Sequence, residues 1–296
     1  MGYTSAMVDR HHNEIDPLTV GEAIHFCHDR LSGSDAFYGH GTDNAWDESV
    51  QLVLSVAELP LDSDEAVLAH KLDPTAREQV KHLLRRRVEE HIPLPYLLGR
   101  AWFAGLEFRC DQRAIIPRSP MAQLILDDFA PWYAGPAPGR VLDLCCGGGC
   151  IGLAVAHYHR EARVDLVDID EDALALAADN RALLGLEDRA ILHRSNLFDG
   201  LEPRAYDLIL SNPPYVDADD LANMPAEYHC EPSLALGSGA DGLDLTRRIL
   251  ANAASYLAEQ GLLVVEVGNS WPALEEAYPG VPFTWIEFAD GGHGVF

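Results

Sequence analysis

Val141-Leu142-Asp143-Leu144-Cys145-Cys146-Gly147-Gly148-Gly149 is the stretch that decides the fold. Its apolar half has the length of a buried strand, its glycines make a turn, and residues 150–159 continue with helical character. A strand that passes through a glycine turn into a helix is the opening unit of a parallel α/β sheet. Glycine admits positive φ and lets a ligand approach the backbone. The N–H groups at a helix start favour negative charge. The turn alone leaves three readings open: a cradle for a nucleoside-bearing cofactor, a dinucleotide site, or a tight turn with no ligand.

Outward from this point, strand-like runs fall at 140–145, 163–168, 190–194, 206–211, 261–267 and 282–288. Helical runs at 120–130, 150–159, 171–184, 243–259 and 270–277 alternate with them. The alternation predicts an α/β fold over 119–296, a parallel sheet with helices on both faces.

Upstream, 17–100 reads as a helical domain. One helix is expected from Asp16-Pro17 through Leu18, Ile24 and Leu31 to Ser32-Gly33. A second, capped by Asp43 or Asn44, has Trp46, Val50, Val53, Leu54 and Ala57 on its apolar face. A third starts at Asp73-Pro74 and carries Val80, Leu83, Leu84, Arg87 and Val88. The run Arg85-Arg86-Arg87 reads as a solvated helix face, with a partner patch as the alternative. Trp102, Phe103, Leu106 and Phe108, then Ala114, Ile115 and Ile116, alternate around Cys110–Arg113 and predict a hairpin connector over 101–118. Residues 1–16 are polar and read as a frayed tail without a signal-peptide core.

A chain of 296 residues that is 48% hydrophobic can bury an ample core in one large or two ordinary domains. No apolar run reaches the roughly 18 residues of a membrane span, and a cytoplasmic protein is expected. The net charge of −26, with Lys71 and Lys81 the only lysines, repels phosphate backbones. Stable nucleic-acid binding is therefore not expected. Such acidity suits a high-salt, halophilic cytoplasm, with arginine-rich codon usage as the alternative for the lysine shortage. Cys27, Cys110, Cys145, Cys146, Cys150 and Cys230 lack zinc-type pair spacing and read as small buried thiols, with no metal site.

A second motif, Asn212-Pro213-Pro214-Tyr215, follows the apolar run 206–211. A planar amide or exocyclic amine has its lone pair tied up in resonance. To attack a methyl sulfonium it needs acceptors that bind its two N–H groups and aim the lone pair. Asn212 Oδ1 and the Pro213 carbonyl suit that task, two prolines stiffen the turn, and Tyr215 offers a flat face. Asp168, at the end of 163–168, suits a bidentate grip on ribose hydroxyls. Ser195-Asn196-Leu197-Phe198 suits an adenine ring, with core packing as the alternative for Leu197 and Phe198. A hydride-transfer enzyme has no use for the Asn212 motif, which favours S-adenosylmethionine over a nicotinamide cofactor.

Together these residues resemble the class I S-adenosylmethionine-dependent methyltransferases, and within them the HemK/PrmB family of protein-glutamine methyltransferases. The likeness runs from about residue 17 to the end and includes Ile92-Pro93, Tyr96-Leu97, Gly99, Phe103, Gly105 and Phe108, then Glu231-Pro232, Leu236 and Asp241-Gly242-Leu243. One branch, acting on release factors, has Gly-Thr-Gly-Thr-Gly and Pro-Arg-Pro where this chain has Cys145–Gly149 and Pro117-Arg118-Ser119-Pro120. Those departures, and the run from Phe37 to Glu48, are similar to the branch that methylates a glutamine of large-subunit ribosomal protein L3.

The resemblance implies a Rossmann-like methyltransferase domain behind a helical substrate-recognition domain, with S-adenosylmethionine as donor and S-adenosylhomocysteine as product. It implies Asn212, Pro213, Pro214 and Tyr215 as catalytic residues. Asp143, Cys145, Cys146, Gly147, Gly148, Gly149, Asp168, Asn196 and Leu197 would hold the cofactor, with Phe103 covering it. The rival readings are release-factor methylation, adenine-amino methylation of nucleic acid, and an idle assembly factor.

Overall fold

The computed structural model describes residues 19–289 and 291–296. The expected cap at Asp16-Pro17, Leu18 and the tail 1–16 lie outside them. The chain divides into two compact units: residues up to Asp35 with Asn44–Glu89, and Ala36–Asp43 with Glu90–Phe296.

The first unit holds α1 (Val20–Ser32), α2 (Ala45–Val56) and α3 (Pro74–Glu89). Thr19 opens α1 with a capping box: its hydroxyl takes the Glu22 N–H and Glu22 returns to the Thr19 N–H. Val20, Ala23, Ile24, Cys27 and Leu31 then form the buried stripe. Asn44 caps α2 through Asp47 N at 2.9 Å. The buried face of α2 runs through Ala45, Glu48, Ser49, Leu52 and Val53, which leaves Trp46 exposed beside His25 and His28, contrary to the expected face. Glu48 is inside because Arg87 Nε donates to it at 2.6 Å. Arg87 is thus a buried ion-pair partner, and the basic run is not a uniform solvated face.

The second unit begins with α4 (Leu94–Leu98), closed by Gly99 at φ 70°. The hairpin that follows, β1 (Arg100–Phe103) with β2 (Leu106–Arg109), turns at Ala104-Gly105. Both turn residues have positive φ, 48° and 76°, as a two-residue type I′ connection demands. The expected turn at Cys110–Arg113 is instead an irregular stretch after β2, and Ala114–Ile116 form no strand.

After α5 (Met121–Leu126), five parallel strands form one sheet. They are β3 (Arg140–Leu144), β4 (Arg163–Asp168), β5 (Ala190–Arg194), β6 (Tyr206–Ser211) and β7 (Leu257–Val265), in the order β5-β4-β3-β6-β7. Adjacent residues feed opposite faces. Val141, Leu208 and Leu210 join one core with α6 (Cys150–Tyr158), while Leu142, Leu144 and Ile209 join another with α9 (Asp244–Asn252) and α10 (Trp271–Ala277). Between these helices lie α7 (Glu171–Leu183) and α8 (Ala218–Asn223). The expected helix 243–259 stops at Asn252, and 257–261 belong to β7, whose register slips beside Tyr206 and Leu208. Residues 282–288 are not a strand. Instead Gly294 and Phe296 bond to Val267 and Val265 at the end of β7. Among the described residues no helix is long and apolar enough to cross a membrane.

Candidate functional site

The sheet order reverses direction between β3 and β6, so the tips of those strands flank a crevice. Past the tip of β3, Cys145, Gly147 and Gly149 all have positive φ (57°, 54° and 82°). Gly149 is the left-handed cap of α6, where a Cβ would press on Leu153 at 3.1 Å. A non-glycine residue in this region costs about 1–2 kcal/mol, and Cys145 carries that cost. The turn is tied to β4 through Asp168, whose Oδ2 accepts from Gly147 N at 2.9 Å and whose Oδ1 accepts from Asp170 N at 3.0 Å. Burial pushes the Asp168 carboxyl above its ordinary range, partly offset by these two bonds. Burial also pushes the Cys145, Cys146 and Cys150 thiols up, so none offers a thiolate.

Two clefts meet at the Asn212 turn. The first, about 270 Å³, is lined by Cys145, Gly147, Asp168, Asn196, Leu197, Asn212 and Pro214, with Arg113, Ala114 and Ile115 from the connector. The second, about 170 Å³, is lined by Asn212, Pro213, Tyr215, Arg118, Tyr228 and Asn269 among others. Asn212, Ile115 and Ala235 belong to both walls. The Asp168 carboxylate at one end and apolar Leu197 and Ile169 suit a nucleoside.

Several expected cofactor residues lie elsewhere. Phe103 is 4% exposed and packs in the core against Phe108, because it falls on the buried face of β1. Cys146 joins the same core. Gly148 rests on Leu176, with its carbonyl held by Asn180 at 2.9 Å. Asp143 points beneath the turn, where Gly152 N donates to Oδ2 at 2.8 Å. Phe198 stacks on Tyr256 in the core, leaving Leu197 alone at the cleft. The motifs gave no signal for Arg248, whose guanidinium donates to Asn196 Oδ1 at 2.8 Å and so occupies the accepting end of that amide. The connector residues Arg113–Ile115 were also missed, since only the tertiary fold brings them to the crevice.

Asp143 carries a stability prediction. Complete burial raises its carboxyl to about 7, with the Gly152 bond opposing and Asp168 adding to the rise. Its Oδ1 has no hydrogen-bond partner within the protein. The unfolded carboxyl titrates near 3.9, so the folded state binds the extra proton between these values. The associated stability is present below the unfolded value and lost as pH rises through about 7. Asp143→Asn removes the titration. It should stabilise the protein on the order of 2–4 kcal/mol more at about pH 8 than near pH 4. Thermal midpoints of both proteins across that range check this, and a gap that does not widen with pH refutes it.

The second cleft is braced by a pair that the sequence did not announce. Arg118 forks onto Glu231 with Nη1–Oε1 at 2.5 Å and Nη2–Oε2 at 2.6 Å. Glu231 also accepts from Ile116 N at 3.0 Å, and its side chain is fully buried. The Arg118 guanidinium lies over the Tyr228 ring, 5.4 Å from its centre. The pair joins the connector to the loop 225–237, the two segments that supply Ile115 and Ala235.

Residues 122–227 match the "Methyltransferase small domain" family model. The ribosomal protein uL3 glutamine methyltransferase of Francisella tularensis is 46% identical over 278 residues, covering 94% of this chain and 88% of that protein. The protein of the same name from Xanthomonas campestris is 46% identical over 293 residues, covering 99% and 93%. Among solved structures, the catalytic domain of hMettl16, in complex with a MAT2A 3′UTR hairpin, superposes with a TM-score of 0.50 at 15% identity, covering 77% of this chain and 82% of that one. That likeness extends to the fold alone. With 46% identity to two such proteins over nearly its whole length, the chain belongs to the ribosomal protein uL3 glutamine methyltransferase family.

Proposed function

We propose that this enzyme transfers a methyl group from S-adenosylmethionine to the side-chain amide nitrogen of a glutamine in ribosomal protein L3, with the cofactor in the larger cleft and the amide in the smaller. The observation that carries this reading is the place of Asn212 in the wall shared by both clefts. The family and fold imply the donor, which supplies a methyl sulfonium when bound. Asn212 Oδ1 and the Pro213 carbonyl accept the two amide N–H groups, which aims the nitrogen lone pair toward the first cleft. After transfer, one of these oxygens would take the amide proton and pass it to water. Pro214 and Tyr215 shape the slot. Catalysis is alignment and exclusion of water, worth on the order of 7–11 kcal/mol in favourable cases.

Gly147, Cys145, Asp168, Asn196 and Leu197 are the residues fitted to hold the cofactor. Asp168→Ala removes a charged acceptor and both bonds that shape the turn. Affinity for S-adenosylmethionine, read by calorimetry, should fall about 10- to 100-fold, from the roughly 1.5–3 kcal/mol of a charge-assisted bond. Unchanged affinity would remove Asp168 from the cofactor site. For the substrate, transfer of labelled methyl to purified L3 is the test, set beside release factor and RNA. Labelling of either of those in preference to L3 would replace this assignment.

A further inference from the structure

Tyr215 is held from three sides by residues just beyond β7. Glu266 Oε1 accepts from its hydroxyl at 3.1 Å, and Ser270 Oγ donates to its carbonyl at 2.8 Å. Gly268, at φ 46°, lies so close to the ring that a Cβ there would come within 2.4 Å of Cε2. The second Glu266 oxygen accepts from Ser119 Oγ at 2.6 Å. Because Ser119 Oγ itself takes the Met121 N–H at 3.1 Å, its proton is free to point at the carboxylate. Glu266 N donates to Ser211 O at 3.0 Å, which fixes the carboxylate to the strand end immediately before Asn212.

Glu266 is 6% exposed. A carboxylate in such a place is costly unless its oxygens are satisfied. The titratable and charged groups facing it are Tyr215, Arg118 from the connector and the Cys150 thiol at the start of α6. A neutral side chain of similar size would fill the same space at less cost, but it could not offer each hydroxyl its own charged acceptor oxygen.

We propose that Glu266 is a positioning residue for methyl transfer: ionised, it accepts from Ser119 and Tyr215 together and locks the Tyr215 ring as a wall of the amide slot. The proposal rests on the reading of Asn212–Tyr215 as the amide-holding turn. Protonation turns one carboxyl oxygen into a donor, so one of the two hydroxyls must turn round to accept and the hold on the ring loses its charge assistance. Burial raises the Glu266 carboxyl above its ordinary range, with Ser119, Tyr215 and Arg118 pulling it back. Turnover should therefore decline as pH falls through that raised value.

The test compares kcat, substrate KM and cofactor Kd for the parent, Glu266→Gln, Tyr215→Phe and the double variant between about pH 5 and 8. Each single change should lower kcat about 10- to 30-fold, a fraction of what an ångström of misplacement costs, with cofactor Kd within about threefold. The double variant should lose no more than the worse single, because both remove one contact. The acid decline of kcat seen in the parent should be absent from Glu266→Gln. Multiplying losses, a parent-like kcat, or an unchanged acid decline in Glu266→Gln would overturn the proposal. If Glu266→Gln does not fold, Ser119→Ala keeps the carboxylate with one donor fewer. It should move the acid decline to higher pH, and an unmoved profile overturns the proposal equally. Failure of the underlying reading shows differently, as an Asn212→Ala enzyme that still turns over.

Discussion

Asn212→Ala is expected to remove methyl transfer about 10²- to 10³-fold while cofactor affinity changes by only a few-fold. The lost acceptor accounts for about 1–3 kcal/mol, and loss of aim for the nitrogen adds to it. Asn212 is one residue among many around the larger cleft, whose Asp168, Gly147, Asn196 and Leu197 remain in place. In the smaller cleft it stands beside Pro213, whose carbonyl alone cannot orient a freely turning amide. Label transfer to L3 and calorimetry on the same preparation separate the two effects. Near-parental turnover would take Asn212 out of the mechanism.

The second large effect concerns stability. Arg118→Met strands the Glu231 carboxylate, whose side chain has no solvent exposure. Its remaining polar neighbours are Ile116 N at 3.0 Å and His40 at 3.9 Å. Breaking one side of a buried ion pair costs about 3–5 kcal/mol, a large fraction of the stability of an ordinary domain. Denaturant unfolding of both proteins near neutral pH measures the difference. A loss under about 1 kcal/mol would show that the pair is solvated in solution like a surface bridge.

The strands were the legible part of this chain. β3 to β6 fall within a residue of their apolar runs because most of their positions are buried and apolar, with the polar residues few enough to leave the runs legible. The hairpin was misplaced because Ala104, at φ 48°, sits where glycine or asparagine usually announces a turn. The helix after Leu243 was drawn too long because Ala253–Leu257 keeps helix-favouring residues while β6 draws the chain into the sheet through Tyr206 and Tyr256. Within the candidate site, the tips of β3, β4 and β6 could be found in the sequence because the cleft-lining residues there interrupt apolar runs. Arg118–Glu231 was not, for its partners are 113 residues apart and nothing local in either segment requires the other. Glu266 was hidden for the same reason, as a lone acid at the end of an apolar strand. Asp143 and Phe103 show the opposite error, in which a suitable residue type near the turn is directed inward by its place in the sheet.

The adjacency of β3 and β6 has a consequence for how the enzyme comes into being. Gly147 and Asn212 face one crevice, yet about 65 residues separate them, and all of β4, α7 and β5 are translated in the interval. At roughly 5–20 residues per second, a ribosome needs about 3–13 s to cover that distance. The nascent chain can present β3, its glycine turn and Asp168 well before the Asn212 turn exists. It gains catalytic competence only when β6 slides in beside β3 and the segment after β7 arrives to hold Tyr215. An enzyme whose substrate is itself a ribosomal protein is thus inert through most of its own synthesis.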